Sequence, residues 1–277
     1  MKELQYIPAT TIDNAIQLDG PVAFVGVGEG MRGHEWQYSL GYRDVMSTAR
    51  PAREVEVDFW TDRATMDALR RAADADMMAR KPGTFLAQDE WRQRGYVVPS
   101  SIESVSYDRI HAKVAIVLLD GAWWRLVKKS MVPDSSTGGD YPYLDYGFDY
   151  GYDFMRTANS KTVEPSVLTP SPVYLVVNGG VVDPEIELAG NTYKLAMTIE
   201  AGAYVTVDGR DKTIVYTRAD TSTENVFANG VRGSGQGGGS YIFEPVPAGV
   251  NTCAWNGEFS FEIGWYEEEG EPPWSQS

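Results

Sequence analysis

The sequence predicts a mainly β protein: an α+β N-terminal domain with one helix on a β-sandwich, followed by a second β-sandwich. Three observations carry this reading. Apolar residues alternate with period two along most of the chain, the spacing of strands with one wet face. One stretch, residues 62–80, switches to helical spacing. The halves also differ in charge: residues 1–139 hold 17 Lys+Arg against 19 Asp+Glu, a net −2, and residues 140–277 hold 7 against 20, a net −13. With 277 residues, 43% of them hydrophobic, the chain can bury one large or two ordinary cores.

The elements follow in order. An apolar strand at 22–27 leads into Gly28, Gly30 and Gly33, a G-x-G-x-x-G match. A dinucleotide site needs a helix next, so that backbone N–H groups face the pyrophosphate. Here Trp36, Tyr38, Leu40 and Tyr42 alternate as in a strand, so the glycines read as a hairpin loop. In 53–59, Val55, Val57 and Phe59 face one way and Glu54, Glu56 and Asp58 the other. Thr61 or Asp62 then caps a helix over 62–80, with Met66, Leu69, Ala73 and Met77 as its apolar stripe and Pro82-Gly83 as its stop. Strands return at 113–119 and 123–127, with Asp120-Gly121 as a hairpin signal between them.

Residues 133–139 (PDSSTGG) read as a flexible joint. Residues 140–154 (DYPYLDYGFDYGYDF) are dense in aromatics and acids, and are expected to lie against a folded surface. Beyond 172 every signal is β. Strands at 173–177 and 181–188 flank an Asn-Gly-Gly turn at 178–180. Tyr193, Leu195, Met197 and Ile199 alternate, as do Val205 and Val207, Ile214 and Tyr216, and then Phe259, Phe261, Ile263 and Trp265. The Gly-rich tract 230–239 reads as a mobile loop. The domains are expected at 1–133 and 166–277, with the linker at 134–165.

Composition excludes several functions. A net charge of −15 disfavours nucleic acid and anionic membrane as primary partners. Cys253 is the sole cysteine, so an intramolecular disulfide and C-x-x-C sites are ruled out, and it reads as a buried small hydrophobe. The first 20 residues lack the apolar core of a signal peptide, and no apolar run approaches a membrane span, which points to folding in a cytoplasm. His34, at a loop edge, and His111, ahead of a strand, come with no G-x-S-x-G elbow. Asp145, Asp149 and Asp153 recur every four residues, but Gly147 and Gly151 oppose a helix and no EF-hand pattern is present. Glu185 and Glu187 share one wet strand face rather than flanking a cleft. Trp265, Tyr266 and Trp274 could form a sugar-stacking platform, although Trp265 continues the inward face.

Several stretches together resemble the distal tail proteins (Dit) of long, flexible-tailed bacteriophages. They are ARPAREVEVDF at 49–59, the helix and the strands through 127, and DYGFDY at 145–150. In the second half they are VDPEIELAGN at 182–191, IEAGAYVTVD at 199–208, YIFEPVPAGVN at 241–251 and EPPW at 271–274. The resemblance implies a tail-tube-like, ring-forming N-terminal domain and a galectin-like C-terminal β-sandwich. It implies a structural role in the distal tail tip or baseplate, with no catalysis and no cofactor, in a virion component made in the host cytoplasm. The implied partners are further copies of the chain in a hexameric ring, the tail tube protein, the tail hub or tail-associated lysin protein, and receptor-binding proteins. Genomic DNA is only passing cargo, and no membrane is implied. Tyr146, Phe148, Tyr150, Tyr152 and Trp274 are the expected interface residues. Because the N-terminal domain of such rings lines the bore, most of the acidic charge is expected on the exterior. The alternative reading is a carbohydrate-binding module that contacts host cell-wall glycan through the C-terminal sandwich.

Overall fold

A computed structural model of the chain describes residues 4–11, 15–19, 24–25, 31, 36–98, 101–133 and 159–271. It divides into two compact units, residues 1–125 with 268–277 and residues 126–267. The predicted mainly β character is found in both.

The first unit contains β1 (Leu4–Ile7), β2 (Ile16–Gln17), β3 (Phe24–Val25), β4 (Gln37–Leu40), β5 (Val45–Ala49) and β6 (Arg53–Thr61). Helix α1 (Arg63–Ala79) follows, then β7 (Gly83–Ala87), β8 (Trp91–Val98), β9 (Ile102–Val105), β10 (Ile110–Leu118) and the start of β11 (Trp123–Met131). The sheet runs β2-β1-β7-β8, passes to β10 through the second half of β8, and continues to β6 and β3. β9 pairs with the first residues of β10. The β6–β10 ladder is the longest, nine pairs from Arg53↔Leu118 to Thr61↔Ile110. Val55, Val57 and Phe59 enter the core and Glu54, Glu56 and Asp58 stay wet, as their alternation requires.

Helix α1 begins where Asp62 Oδ1 accepts the Thr65 backbone N–H at 2.7 Å. This bond holds the Asp62 carboxyl below its ordinary pKa. The helix ends at Arg80 in the left-handed region, φ 53°, ahead of Pro82. Met66, Leu69 and Ala73 are buried as expected, but Met77 is exposed and Asp76 takes the inward place. At about 100° per residue, Leu69, Ala72, Ala73 and Asp76 centre the buried arc, and Met77 falls outside it.

The second unit holds β12 (Asn159–Val163), β13 (Val173–Asn178), β14 (Val181–Val182), β15 (Glu185–Leu188), β16 (Asn191–Lys194) and β17 (Thr198–Ile199). It continues with β18 (Tyr204–Asp208), β19 (Thr213–Thr217), β20 (Thr223–Asn225), β21 (Asn251–Trp255) and β22 (Phe261–Glu269). One layer orders β22-β13-β18-β19-β20 and the other β12-β21-β15-β16. Inward residues such as Leu175, Val207 and Ile263 from the first layer meet Ile186, Cys253 and Trp255 from the second in one core. β12 falls inside the stretch 134–165 read as linker.

A predicted hairpin between the strands at 22–27 and 36–42 is not formed among the described residues, where β3 pairs with β6 and β4 with β5. Two further predicted hairpins are absent, for one reason. Strands 113–119 and 123–127 do not pair across Asp120-Gly121: β10 already has β6 on one edge and β8 and β9 on the other, so β11 goes to β8. Asp120 fixes the exit by accepting the Arg94 backbone N–H at 2.8 Å and its side chain at 2.7 Å. Likewise β13 lies between β18 and β22, so β14 pairs with β17 instead. A Cβ on Gly179 would sit 1.7 Å from the Glu200 carbonyl, and Gly180 has φ +92°, so this turn needs both glycines. The strand expected over 181–188 breaks at Asp183-Pro184, where Asp183 adopts φ +47° and proline offers no N–H. In the Gly-rich tract, Gly239 O accepts from Thr192 N at 2.9 Å, and Gly237 N donates to Glu244 Oε2 at 3.0 Å.

Candidate interaction surfaces

Among the described residues, no three His, Cys, Asp or Glu side chains converge as a metal site requires. His111 lies within β10, not ahead of it. Its Nε2 is 2.9 Å from Asp58 Oδ1, and its ring stacks on Trp60 at 3.9 Å between centroids. Both partners come from β6, where His111 faces Trp60 and the next outward position is Asp58. The arrangement joins two strands and presents no nucleophile. Cys253 is fully buried in β21, and burial pushes its thiol up to about 12, far from a nucleophile's range. Glu185 and Glu187 are exposed on β15, and Glu185 is bonded to Lys194.

The most polar buried group is structural. Asp76 accepts from Tyr6 Oη at 2.6 Å, Thr10 Oγ1 at 2.7 Å, Thr10 N at 2.9 Å and Ala9 N at 3.1 Å, and so ties the N-terminal segment to α1. Burial, then this bond, raises the Tyr6 phenol well above its ordinary value. A Cβ on Gly83 would come 2.5 Å from that phenol oxygen, so a bare backbone there lets Tyr6 in. Spacing alone does not mark Asp76, because an acid on a helix ordinarily faces water.

In the second unit a cleft of about 170 Å3 lies beside Leu188, Asn191, Tyr193, Glu244, Pro245 and Pro247. Its polar walls bond one another. Asn191 exchanges hydrogen bonds with the Tyr241 backbone at 2.9 and 3.0 Å, and the Tyr193 hydroxyl donates to Glu244 O at 2.8 Å. The sugar platform is not assembled among the described residues, since Trp265 and Tyr266 are 5% and 4% exposed. Trp274, the aromatic residues Tyr146, Phe148, Tyr150 and Tyr152, the acids Asp145, Asp149 and Asp153, and His34 with Gly28, Gly30 and Gly33 lie outside the described residues.

What the first unit does present is apolar surface. The β4–β5 hairpin buries neither face. Tyr38 is 64% exposed, Leu40 71%, Tyr42 92% and Met46 75%, with Trp36 and Val45 nearly half exposed. Strand β9 is also exposed at every residue, and Ile102, Val105 and Tyr107 stand in water. The alternation at 36–42 gave the strand correctly, but the dry face it implies is not formed within the described chain.

No protein-family model and no curated protein sequence matches the chain. Solved structures do, and the likeness in fold runs end to end. One is the Dit protein of phage SPP1, described as a paradigm of the hub adsorption apparatus in phages infecting Gram-positive bacteria; its TM-score is 0.54 at 13% identity, over 96% of this chain and 98% of that one. Another is a chain of the phage P2 baseplate in its activated conformation with Ca, with a TM-score of 0.59 at 7% identity, over 98% and 99%. The same baseplate with Sr gives 0.59 at 8% identity with equal coverage. The chain shares the fold of these proteins.

Proposed function

We propose that this protein is a structural component of the distal tail tip, or baseplate, of a long, flexible-tailed bacteriophage. In this reading copies of the chain form a ring, six by the family resemblance, that joins the tail tube to the tail hub or tail-associated lysin protein. Receptor-binding proteins are carried on its outside, DNA passes through the bore, and no chemistry is performed. The observation that carries the reading is fold likeness across both units, over 96–98% of the chain. Tyr146, Phe148, Tyr150, Tyr152 and Trp274 remain the proposed contacts to neighbouring tail proteins.

The test is imaging of intact tails with an antibody or a density tag on this chain. Label at the distal tip is expected; label in the shaft or the head overturns the proposal. The glycan-binding alternative loses Trp265 and Tyr266 as sugar-stacking groups, because both are buried.

A further inference from the structure

We infer that Asn256 is a self-modification site: attack by the Gly257 backbone nitrogen converts its side-chain amide to a carboxylate, while the fold holds back the other Asn-Gly pairs. The inference is independent of the tail-tip reading.

The chain contains Asn-Gly at 178–179, 229–230 and 256–257. Ring closure needs a glycine nitrogen free to attack the asparagine Cγ. It also needs a backbone that can swing, a side-chain carbonyl turned toward the glycine, and access for water. Glycine suits the step because no Cβ obstructs the closing ring.

The first pair fails at the nucleophile. The Gly179 N–H donates to Ala203 O at 2.8 Å, and Asn178 Nδ2 donates to Ser260 Oγ at 2.9 Å. The Glu200 backbone carbonyl lies 1.7 Å from where a Gly179 Cβ would stand, so the main chain has no room to turn. The second pair is enclosed. Gly230 is buried and its N–H points at Phe227 O at 3.4 Å. Asn229 is fixed by Ala196, whose O accepts from Asn229 Nδ2 at 3.0 Å and whose N–H donates to Asn229 O at 2.8 Å.

The third pair is open. Asn256 and Glu258 are exposed in the connection between β21 and β22. Gly257 has φ +80°, and its N–H makes no hydrogen bond among the described residues. The group nearest its missing Cβ is the Asn159 side-chain amide, which can rotate aside as a backbone carbonyl cannot. Asn256 Oδ1 accepts the Glu258 N–H at 3.1 Å, and Asn256 Nδ2 donates to Glu258 Oε2 at 3.0 Å. The first bond closes a ring that contains both Cγ and the Gly257 nitrogen, and so keeps the side-chain carbonyl on the glycine side. It also aims a donor at the oxygen that gathers negative charge during attack. The stem below is fixed, since Trp255 Nε1 donates to Phe259 O at 3.0 Å. Movement is thereby confined to the exposed tip.

In the step itself the Gly257 nitrogen bonds to Asn256 Cγ and gives its proton to solvent base. The Cγ–Nδ2 bond breaks, and that nitrogen takes up a proton and leaves as ammonia. Water then opens the cyclic imide at either carbonyl, leaving aspartate or isoaspartate at position 256. Nothing is oxidised or reduced, and the net charge moves from −15 to −16 (−15 − 1).

The experiment holds the full-length protein for days in mildly alkaline buffer, folded or in urea. Peptide mapping by mass spectrometry and isoaspartyl-specific methylation then read all three sites. In the folded protein, conversion at Asn256 is expected to exceed that at Asn178 and Asn229 by about tenfold, the upper range for first releasing a backbone hydrogen bond. In urea the three sites should convert at comparable rates, because each has the same glycine neighbour. Anion exchange should resolve a more acidic species from the folded sample, and Asn256→Gln should lack it. Equal conversion at the three sites in the folded protein overturns the inference. So does an unreacted Asn256 in the folded protein when urea brings all three on, or an acidic species that persists in Asn256→Gln.

Discussion

Strands β6 and β4 are written in the same period-two pattern, and the folded chain treats them in opposite ways. In β6, Val55, Val57 and Phe59 are buried between paired neighbours, with β10 on one edge and β3 on the other. In β4, Tyr38 and Leu40 are as apolar, yet they stand in water beside β5 alone. Alternation states that one face of a strand is to be dry. It does not say whether the chain's own core or a second molecule will dry it.

The largest expected effect separates the two strands. Phe59→Ala removes a ring that is 1% exposed and should cost about 3–5 kcal/mol in chemical denaturation. Tyr38→Ala, on a side chain 64% exposed, should stay within about 0.5 kcal/mol for the monomer. Equal losses at both sites would mean that the hairpin is packed against the chain after all, and would break the comparison.

An inward polar residue should behave like an inward apolar one. Asp76→Ala leaves the Tyr6 hydroxyl, the Thr10 hydroxyl and the Ala9 and Thr10 N–H groups without their acceptor. The expected loss is about 3 kcal/mol, read from the same denaturation curves. A loss under about 1 kcal/mol would show that water replaces the carboxylate and that the clasp is not closed.

These residues also show how far the sequence was legible. Alternation and one helical stretch specified β6, β10, β18, β19, β22 and α1, because each is decided by its own local pattern. The pairing partners were not legible. Asp120-Gly121 and the Asn-Gly-Gly at 178–180 are sound turns, but β10 and β13 have both edges occupied by strands distant in sequence, and local signals carry no account of edge occupancy. Asp76 was missed because burial of an acid depends on donors 66–70 residues away. The hairpin surface was visible as Trp36, Tyr38, Leu40 and Tyr42; what the sequence could not express was that no part of the described chain covers it. Cys253 was read correctly as core because a small apolar side chain in a strand ordinarily takes the inward face, which here it shares with Trp255.

High pH offers a smaller effect that again sorts inward from outward groups. Burial, as the leading cause, raises the Tyr6, Tyr193 and Tyr266 phenols above their ordinary 10.0 and the Cys253 thiol from 9.0 to about 12. The unfolded chain therefore loses these protons first. Stability is unaffected below about pH 9 and falls as pH rises through about 9 to 12. Each such group contributes a slope of about 1.4 kcal/mol per pH unit while only the unfolded state is ionised. Urea melts at about pH 8, 10 and 11 should show the fall, and Cys253→Ala should move its onset from near pH 9 toward about pH 10. A flat profile would mean that these hydroxyls reach water in the folded chain.

The smallest effect belongs to the wet face of the β6–β10 ladder. Lys113 lies directly opposite Asp58, but its Nζ reaches diagonally to Glu56 Oε1 at 3.5 Å. Lys113 is 44% exposed and Glu56 63%, so water and salt screen the pair. A double-mutant cycle with Lys113→Met and Glu56→Gln should give a coupling of about 0.2–0.5 kcal/mol, lost in molar salt. A salt-resistant coupling above about 1 kcal/mol would place this face out of water. The acids of β6 would then line a covered surface like the apolar ones behind them, and the contrast between the strand's two faces would disappear.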